Sequence, residues 1–231
     1  MRNIKRIFFD SGMVLVYPKS GQWFFPNCYF EYCKTNSLEP TDQKLNENYQ
    51  IAYENLSSKN LILNEEEEGK AFREFYKLLF HGIEGKDNKD LIDKCTIGKV
   101  NDYSKYLFYE DVKSETPRLA NHYRLGIISD AWPSLLNVYK QNEMLHYFDP
   151  FVISSIKGFT KETGKLFLVA LSEIDEKPEE CLFVDDSYGN CIRAQDVGMK
   201  SIMLNRNKYQ ADKGNIKAIS TLVELSKILL E

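Results

Sequence analysis

Residues 181–190 read Cys-Leu-Phe-Val-Asp-Asp-Ser-Tyr-Gly-Asn, a short apolar run that ends in two adjacent carboxylates. Four apolar residues in a row, with no polar residue alternating between them, are typical of a strand covered on both faces. The two carboxylates would lie at the carboxyl end of that strand, which is where ligands bind in open α/β sheets. The stretch therefore predicts both a parallel sheet and a site at one edge of it.

Four more runs have this apolar character, and three of them end in polar residues. They are 6–9, followed by Asp10-Ser11-Gly12; 125–128, followed by Ser129-Asp130; 151–153, followed by Ser154-Ser155; and 201–204. Helix-like segments near 133–143, 163–174, 189–197 and 221–230 separate or follow the later strands, and Thr221 with Glu224 forms a capping box. This alternation predicts an α/β fold with a doubly wound parallel, Rossmann-like sheet.

More than a hundred residues separate the first two predicted strands, which is too many for one crossover helix. Helical spacing within this interval, as from Ala71 to Leu79, predicts an inserted α-helical cap at 17–103 on a core of 1–16 and 104–231. The aromatic run from Trp23 to Tyr32 is predicted to form a helical face in the cap's own core, with Trp132 as a candidate pocket residue. The acidic run Glu65 to Glu68 is predicted to be solvated.

The composition excludes several classes of protein. Thirty Lys and Arg against 34 Asp and Glu give a net charge of -4 with both signs interspersed, which argues against a nucleic-acid partner. The five cysteines form no C-x-x-C pair, so reduced thiols in a cytoplasmic protein are expected. No apolar stretch approaches the about 18 residues of a membrane span, and no signal peptide or membrane partner is expected. Oligomeric state does not follow from the sequence.

Four segments together resemble the four motifs of the haloacid dehalogenase-like (HAD) superfamily. The run Phe8-Phe9-Asp10-Ser11-Gly12-Met13-Val14-Leu15 resembles the first motif, and Ile127-Ile128-Ser129-Asp130 resembles the second. Lys161, seven residues after Ser154, resembles the lysine of the third, with Lys157 and Lys165 as nearby alternatives. Residues 183–190 resemble the fourth motif, and the inserted segment resembles the family's helical cap.

The resemblance implies a Mg²⁺-dependent phosphatase that acts on a small phosphorylated molecule, with Asp10 as nucleophile and an aspartyl-phosphate intermediate. Because nucleophile and phosphate are both anionic, such a site needs cations. The implied metal ligands are Asp10, the Gly12 carbonyl and Asp186, with Asp185 beside them. Lys161 supplies a fixed positive charge, and Asn190 orients Asp185 or its loop. The implied phosphate-binding residues are Ser11, Ser129, Asp130 and Lys161.

Two positions depart from the family pattern. Glu162 follows the predicted lysine where the family usually has proline, and Gly12 stands where most HAD phosphatases have a second aspartate that protonates the leaving group. The source of that proton is therefore open, and the candidates are Tyr17, His81 and Asp130.

Three other functions remain open alternatives. A haloacid dehalogenase would use Asp10 on carbon without a metal, which would leave Asp185 and Asp186 idle. A phosphonate hydrolase would need a Schiff-base lysine in the cap, where Lys59 and Lys70 are available. A catalytically impaired protein that binds a phosphorylated ligand would not need Asp10 to face an anion.

Overall fold

A computed structural model describes residues 3–36, 43–59, 61–82, 89–206 and 214–231. Its contacts divide the chain into two compact units. The first, here called the core unit, contains Met1–Tyr17, Leu107–Ala131 and Tyr139–Glu231. The second, here called the cap unit, contains Pro18–Tyr106 and Trp132–Val138. In the described residues no helix combines the length and the apolar character needed to cross a bilayer.

Eight strands of the described residues form two sheets. They are β1 Arg6–Phe9, β2 Val16–Pro18, β3 Tyr106–Phe108, β4 Arg124–Ser129, β5 Phe148–Ile153, β6 Cys181–Asp185, β7 Lys200–Leu204 and β8 Lys217–Ile219. Six of them make one parallel sheet in the order β5-β4-β1-β6-β7-β8, and β2 pairs with β3 in a separate sheet. The strand order reverses at β1, because the chain builds outward through β4 and β5 and then returns to β6. Such a switch point is where α/β sheets bind ligands.

The helices of the described residues follow in chain order. They are α1 Asn27–Asn36, α2 Gln43–Ser57, α3 Glu65–Leu79, α4 Lys89–Val100, α5 Glu110–Ala120, α6 Ser134–Gln141, α7 Ser154–Lys157, α8 Lys165–Ser172, α9 Tyr188–Asp196 and α10 Leu222–Leu230. Thr221 caps α10 by accepting a hydrogen bond from the Glu224 amide at 3.1 Å.

The predicted α/β fold with a parallel sheet is confirmed. All five predicted strands and the four predicted core helices are present within a few residues of their expected limits. The sequence did not reveal β8, which has three residues, or α5, which contains Pro117. Proline inside a helix removes a backbone donor and normally ends the helix, so the pattern there did not read as helical.

The core unit buries the sheet strands almost completely. Ile7, Phe8 and Phe9 are buried in succession, as are residues 181–185. A strand in the middle of a parallel sheet has helices on both faces, which explains continuous apolar runs in place of alternation.

The cap unit has a helical core rich in aromatic residues. Phe72, Phe75, Tyr76 and Leu79 of α3 are buried in it. The aromatic run does not form one helix as predicted, because Trp23, Phe24 and Phe25 precede α1. Pro26 explains the difference, since the residue before a proline is disfavoured in helical conformation.

Two details of the cap unit differ from expectation. Glu68 is fully buried although the run Glu65 to Glu68 was predicted to be solvated, and its carboxylate accepts hydrogen bonds from the amide and hydroxyl of Ser134 at 2.8 and 2.7 Å. Residues 132–138, which the prediction gave to the core, cluster with the cap unit, where Trp132 packs on Phe24 and Phe72. The predicted domain limits otherwise stay a prediction.

Candidate active site

Three carboxylates converge at the switch point of the core sheet. Asp10 follows β1, Asp185 ends β6 and Asp186 follows it. Phe9 pairs with Val184, and the Asp10 amide donates to the Val184 carbonyl at 2.9 Å, so the two strand ends are level. One oxygen of each carboxylate lies within 4.8 Å of the others.

Lys161 lies between two of these carboxylates. Its Nζ is 2.9 Å from Asp10 Oδ1 and 2.7 Å from Asp185 Oδ2, and the side chain is buried. Burial alone would lower the pKa of Lys161, but the charges of Asp10, Asp185 and Asp130 raise it above its usual value. Lys161 is therefore a permanently charged lysine.

The departure at Glu162 does not displace this lysine. Lys161 begins a short 3-10 turn before α8, and Asp130 Oδ1 accepts a hydrogen bond from the Lys161 amide at 3.1 Å. The alternatives lie elsewhere, because Lys157 pairs with Glu173 at 2.6 Å and Lys165 lies over the ring of Phe159.

Two serine hydroxyls form hydrogen bonds at the carboxyl end of β1. The Ser129 hydroxyl donates to Asp10 Oδ1 at 2.8 Å, so it contacts the carboxylate. The Ser11 hydroxyl is buried and lies 2.9 Å from the Tyr139 hydroxyl. The two hydroxyls thus form a hydrogen bond within the core unit, next to Asp10.

Asp185 has a full set of partners. Its Oδ1 accepts the Ser187 amide at 2.7 Å, and its Oδ2 accepts Asn190 Nδ2 at 3.0 Å in addition to Lys161. Asp186 is less buried than Asp185. Asp185 therefore positions Lys161, and Asp186 is the more accessible oxygen ligand.

Crowding of the carboxylates shifts their protonation. Burial raises the pKa of Asp10 to about 6, against the opposing effect of Lys161. Burial together with the charges of Asp185 and Asp10 raises the pKa of Asp186 to about 7. One lysine does not neutralise three carboxylates, and a bound cation would lower the pKa values of Asp10 and Asp186.

A tight turn follows Asp10. Met13 has a φ of 57°, unusual for a residue other than glycine, and its amide donates to the Val16 carbonyl at 2.8 Å. Arg206 holds this turn from outside, because its Nε and Nη2 donate to the Val14 carbonyl at 3.1 and 2.7 Å. Its Nη1 donates to both oxygens of Asp111 at 2.7 and 2.8 Å.

Arg206 and Tyr139 were not among the residues predicted from the sequence. A signal for Arg206 was available, because Asn205-Arg206 follow the fifth apolar run just as polar residues follow the other four. No comparable signal marks Tyr139, whose hydroxyl reaches Ser11 from α6.

The candidate proton donors lie in different surroundings. The ring of Tyr17 packs at 4.7 Å on that of Tyr109, whose hydroxyl lies 3.9 Å from the Met13 sulfur. Burial raises the pKa of Tyr109, and the charge of Asp186 adds to the effect, so this phenol stays protonated. Tyr109 therefore joins Tyr17 as a candidate. His81 is exposed in the cap unit, where its carbonyl accepts from Asn48.

The lysines considered for a Schiff base, Lys59 and Lys70, are both exposed, and Lys70 pairs with Glu66 at 2.6 Å. The buried lysine of the cap unit is instead Lys99. Its Nζ donates to the Trp23 carbonyl at 2.8 Å and to the Tyr106 hydroxyl at 2.9 Å. Burial lowers its pKa to about 8.

Comparisons with known proteins agree on one family. The profile of the haloacid dehalogenase-like hydrolases matches residues 30–198. A glyceraldehyde 3-phosphate phosphatase of Pyrococcus furiosus is 27% identical over 226 residues, covering 90% of this chain and 84% of the relative.

Solved structures of similar fold include enzymes of two different reactions. A HAD phosphatase from Thermococcus onnurineus has a TM-score of 0.63 at 21% identity and covers 98% of both chains. A 2-haloacid dehalogenase from Pseudomonas syringae has a TM-score of 0.66 at 16% identity, also over 98% of both chains. At these identities the likeness establishes the fold alone.

Proposed function

The chain belongs to the haloacid dehalogenase-like hydrolases, and from that premise we propose that it is a Mg²⁺-dependent phosphatase with Asp10 as its covalent nucleophile. The observation that carries the proposal is the position of Lys161 between Asp10 and Asp185, with the carboxylate of Asp186 close by. A site that binds and transfers an anionic phosphoryl group needs this combination of nucleophile and positive charge.

The donor set fits a hard divalent cation. Mg²⁺ prefers oxygen ligands and is commonly held by one or two carboxylates plus water. Asp10 and Asp186 would hold it with the Gly12 carbonyl, while Asp185 is committed to Lys161, Ser187 and Asn190. When bound, the metal supplies positive charge that offsets the repulsion between nucleophile and phosphate.

The residues of the chain account for the transfer itself. Lys161 and Ser129 both bind Oδ1 of Asp10, and we assign the attack on phosphorus to the other oxygen, Oδ2. A bond forms from this oxygen to phosphorus as the bond to the leaving oxygen breaks. Water then cleaves the aspartyl phosphate, which releases inorganic phosphate and restores Asp10.

The substrate is proposed to be a small phosphate monoester. A relative that covers 90% of this chain is a glyceraldehyde 3-phosphate phosphatase, so that compound is the first to test. A panel of other three- to six-carbon sugar phosphates, assayed beside it, would define how narrow the preference is.

The experiment measures phosphate release from this panel with and without Mg²⁺, for the wild type and for Asp10→Asn. We expect metal-dependent turnover by the wild type and loss of turnover on the order of 10⁴-fold or more in the variant, since removal of a nucleophile has effects of this size. Beryllofluoride with Mg²⁺, a mimic of the phosphorylated aspartate, should raise the melting temperature of the wild type alone.

The alternatives give different outcomes in the same assays. Halide release from 2-haloacids in excess chelator, without phosphate release, would support the dehalogenase. Inactivation by borohydride in the presence of a phosphonoaldehyde would support the phosphonate hydrolase. Ligand binding without turnover of any ester would support the binding protein.

A further inference from the structure

Two cysteines of the cap unit lie side by side. Cys28 is in the first turn of α1, Cys95 is in α4, and their sulfur atoms are 3.8 Å apart. Gly98 allows this approach, because a Cβ at that position would lie 3.1 Å from Pro26 Cβ and 3.6 Å from Cys28 Sγ. A side chain on α4 at residue 98 would therefore crowd the start of α1.

The two thiols differ in reactivity. Cys28 is only partly buried, whereas Cys95 is fully buried. Hydrogen bonding to the Cys95 thiol lowers the pKa of Cys28, and the backbone amides of residues 28 and 29 lower it further, against the effect of burial. The thiolate is the form that reacts with oxidants, so Cys28 is the thiol of this pair that reacts first.

The other three cysteines provide an internal reference. Burial raises the pKa of Cys33 and raises those of Cys181 and Cys191 to about 12. All three are buried, and Cys181 and Cys191 lie in the core unit. Buried thiols with raised pKa values react slowly with oxidants, and the pKa of Cys95 is raised as well, so what distinguishes Cys95 is its sulfur contact with Cys28 at 3.8 Å.

We propose that Cys28 and Cys95 are a site of reversible oxidation, which forms a disulfide between α1 and α4 when the protein meets a peroxide. The Cys28 thiolate attacks one peroxide oxygen, the O–O bond breaks, and a sulfenic acid forms with release of hydroxide. The Cys95 thiol then attacks the sulfenic sulfur, which expels water and forms the disulfide. The peroxide is reduced by two electrons and the thiol pair is oxidised by two.

The site needs only a small movement to close. A disulfide bond is about 2 Å long, so the sulfurs must approach by roughly 2 Å, which rotation of one or both side chains can supply. A dithiol reductant reverses the reaction by exchange through a mixed disulfide. The proposal concerns the cap unit alone and does not depend on the proposed phosphatase activity.

The test treats the full chain with hydrogen peroxide, blocks the remaining thiols with an alkylating reagent and maps the peptides by mass spectrometry without reduction. We expect a peptide pair joined through Cys28 and Cys95, with Cys33, Cys181 and Cys191 alkylated, and disappearance of the pair after treatment with dithiothreitol. Absence of this pair after complete consumption of the peroxide overturns the proposal.

Single variants assign the two roles. In Cys95→Ser the sulfenic acid at Cys28 should persist and react with dimedone, whereas in Cys28→Ser all four remaining thiols should stay reduced. Cys33→Ser is the matched control, and it should form the disulfide at the rate of the wild type. A crosslink between Cys28 and Cys33, or equal reactivity of the five thiols, contradicts the proposal. Thermal melting of each reduced variant shows that it is folded before it is scored.

Discussion

Among the described residues, Lys161 of the core unit and Lys99 of the cap unit are buried, and the two lysines have opposite electrostatic surroundings. Lys161 contacts Asp10 and Asp185 directly. Lys99 contacts a carbonyl and a phenol and lies within 4.9 to 5.5 Å of the ring centroids of four aromatic side chains: Phe24, Phe72, Tyr106 and Trp132. The pKa of Lys161 is raised by its neighbours, whereas burial lowers that of Lys99 to about 8.

The contrast separates a reactive site from a structural one. Paired carboxylates beside Lys161 place like charges together, an arrangement that a stable core avoids but that a phosphoryl site requires. The aromatic rings and the carbonyl around Lys99 satisfy its donors without a facing carboxylate in contact, and its charge contributes cation–π attraction. Burial of a lysine is thus no guide to function until its partners are known.

The largest expected difference between the two lysines is in kcat/KM, and replacing each lysine in turn measures it. Lys161→Met should lower kcat/KM by about 10³-fold, because a preorganised charge at the phosphoryl group is lost. Lys99→Met should leave kcat/KM within about threefold of the wild type, because its contacts are to cap residues only. Steady-state kinetics with the best substrate of the panel measures both.

An equal loss of kcat/KM in Lys161→Met and Lys99→Met would contradict the comparison, provided that both variants are folded. Circular dichroism and thermal melting supply that control. A Lys161→Arg variant adds a second check, since it keeps the charge but alters the fit, and it should retain more activity than Lys161→Met.

The sequence predicts the core better than the cap, for a physical reason. Apolar runs and the polar residues at their ends indicate strand ends directly, so Asp10, Ser129, Asp185 and Asp186 could be named in advance, whereas Lys161 followed from the resemblance to the third motif. Lys99 and Glu68 could not, because helical spacing shows which face is buried but not which charge the face can satisfy. The partners of Lys99 are the Trp23 carbonyl, which is far from it in sequence, and the Tyr106 hydroxyl, which lies outside its helix.

Positioning contacts were also beyond the sequence. Tyr139 reaches Ser11 across 128 positions of chain, and Arg206 reaches Val14 across 192. Such contacts depend on the register of strands and the placement of helices, which a single sequence does not specify. The missing acid at Gly12, by contrast, was evident from the sequence alone.

Replacement of Gly12 is a further test of the proposed catalytic site in the core unit. With no carboxylate there, the rate should depend strongly on the acidity of the leaving group, and aryl phosphates should be cleaved far faster than alkyl phosphates. Gly12→Asp should raise the rate on alkyl phosphates by about 10²-fold, the lower end of what general acid catalysis contributes. Rates on p-nitrophenyl phosphate and on an alkyl phosphate, in both proteins, test the expectation.

A native protein that hydrolyses alkyl and aryl esters equally well, with both activities lost in Asp10→Asn, would show that another residue donates the proton. Tyr109→Phe and Tyr17→Phe would then be the first variants to compare. Replacement of the phenol that serves as proton donor should lower the rate on alkyl esters selectively.

Arg206 is another cation whose side chain is largely buried, and its surroundings are intermediate between those of Lys161 and Lys99 because it pairs with one carboxylate and one carbonyl. Arg206→Lys should lower kcat on the order of 10-fold with little change in KM, because the turn after Asp10 loses its bidentate restraint and the nucleophile is less well positioned. Arg193→Lys is the matched control, since Arg193 forms an exposed ion pair with Asp196. A change in KM alone would assign Arg206 to substrate binding instead.

The smallest expected effect is a dependence of stability on pH that Lys99 alone should produce. Its folded pKa of about 8 lies below the unfolded value of 10.5, so the folded state binds this proton less tightly. The resulting penalty is fully present below pH 8 and is relieved as the pH rises towards 10.5. Between pH 7 and 9 the free energy of unfolding of the wild type should therefore rise by about 1 kcal/mol relative to Lys99→Met. Burial lowers the pKa of Lys105, and the charge of Lys99 lowers it further, so Lys99→Arg, which keeps that charge, controls for the contribution of Lys105 to this rise. Urea unfolding at several pH values measures it, and Lys99→Arg, which stays charged throughout, should show no such rise. A difference that stays flat over this range would mean that Lys99 keeps its proton despite its aromatic surroundings, and the contrast with Lys161 would then be one of partners but not of charge.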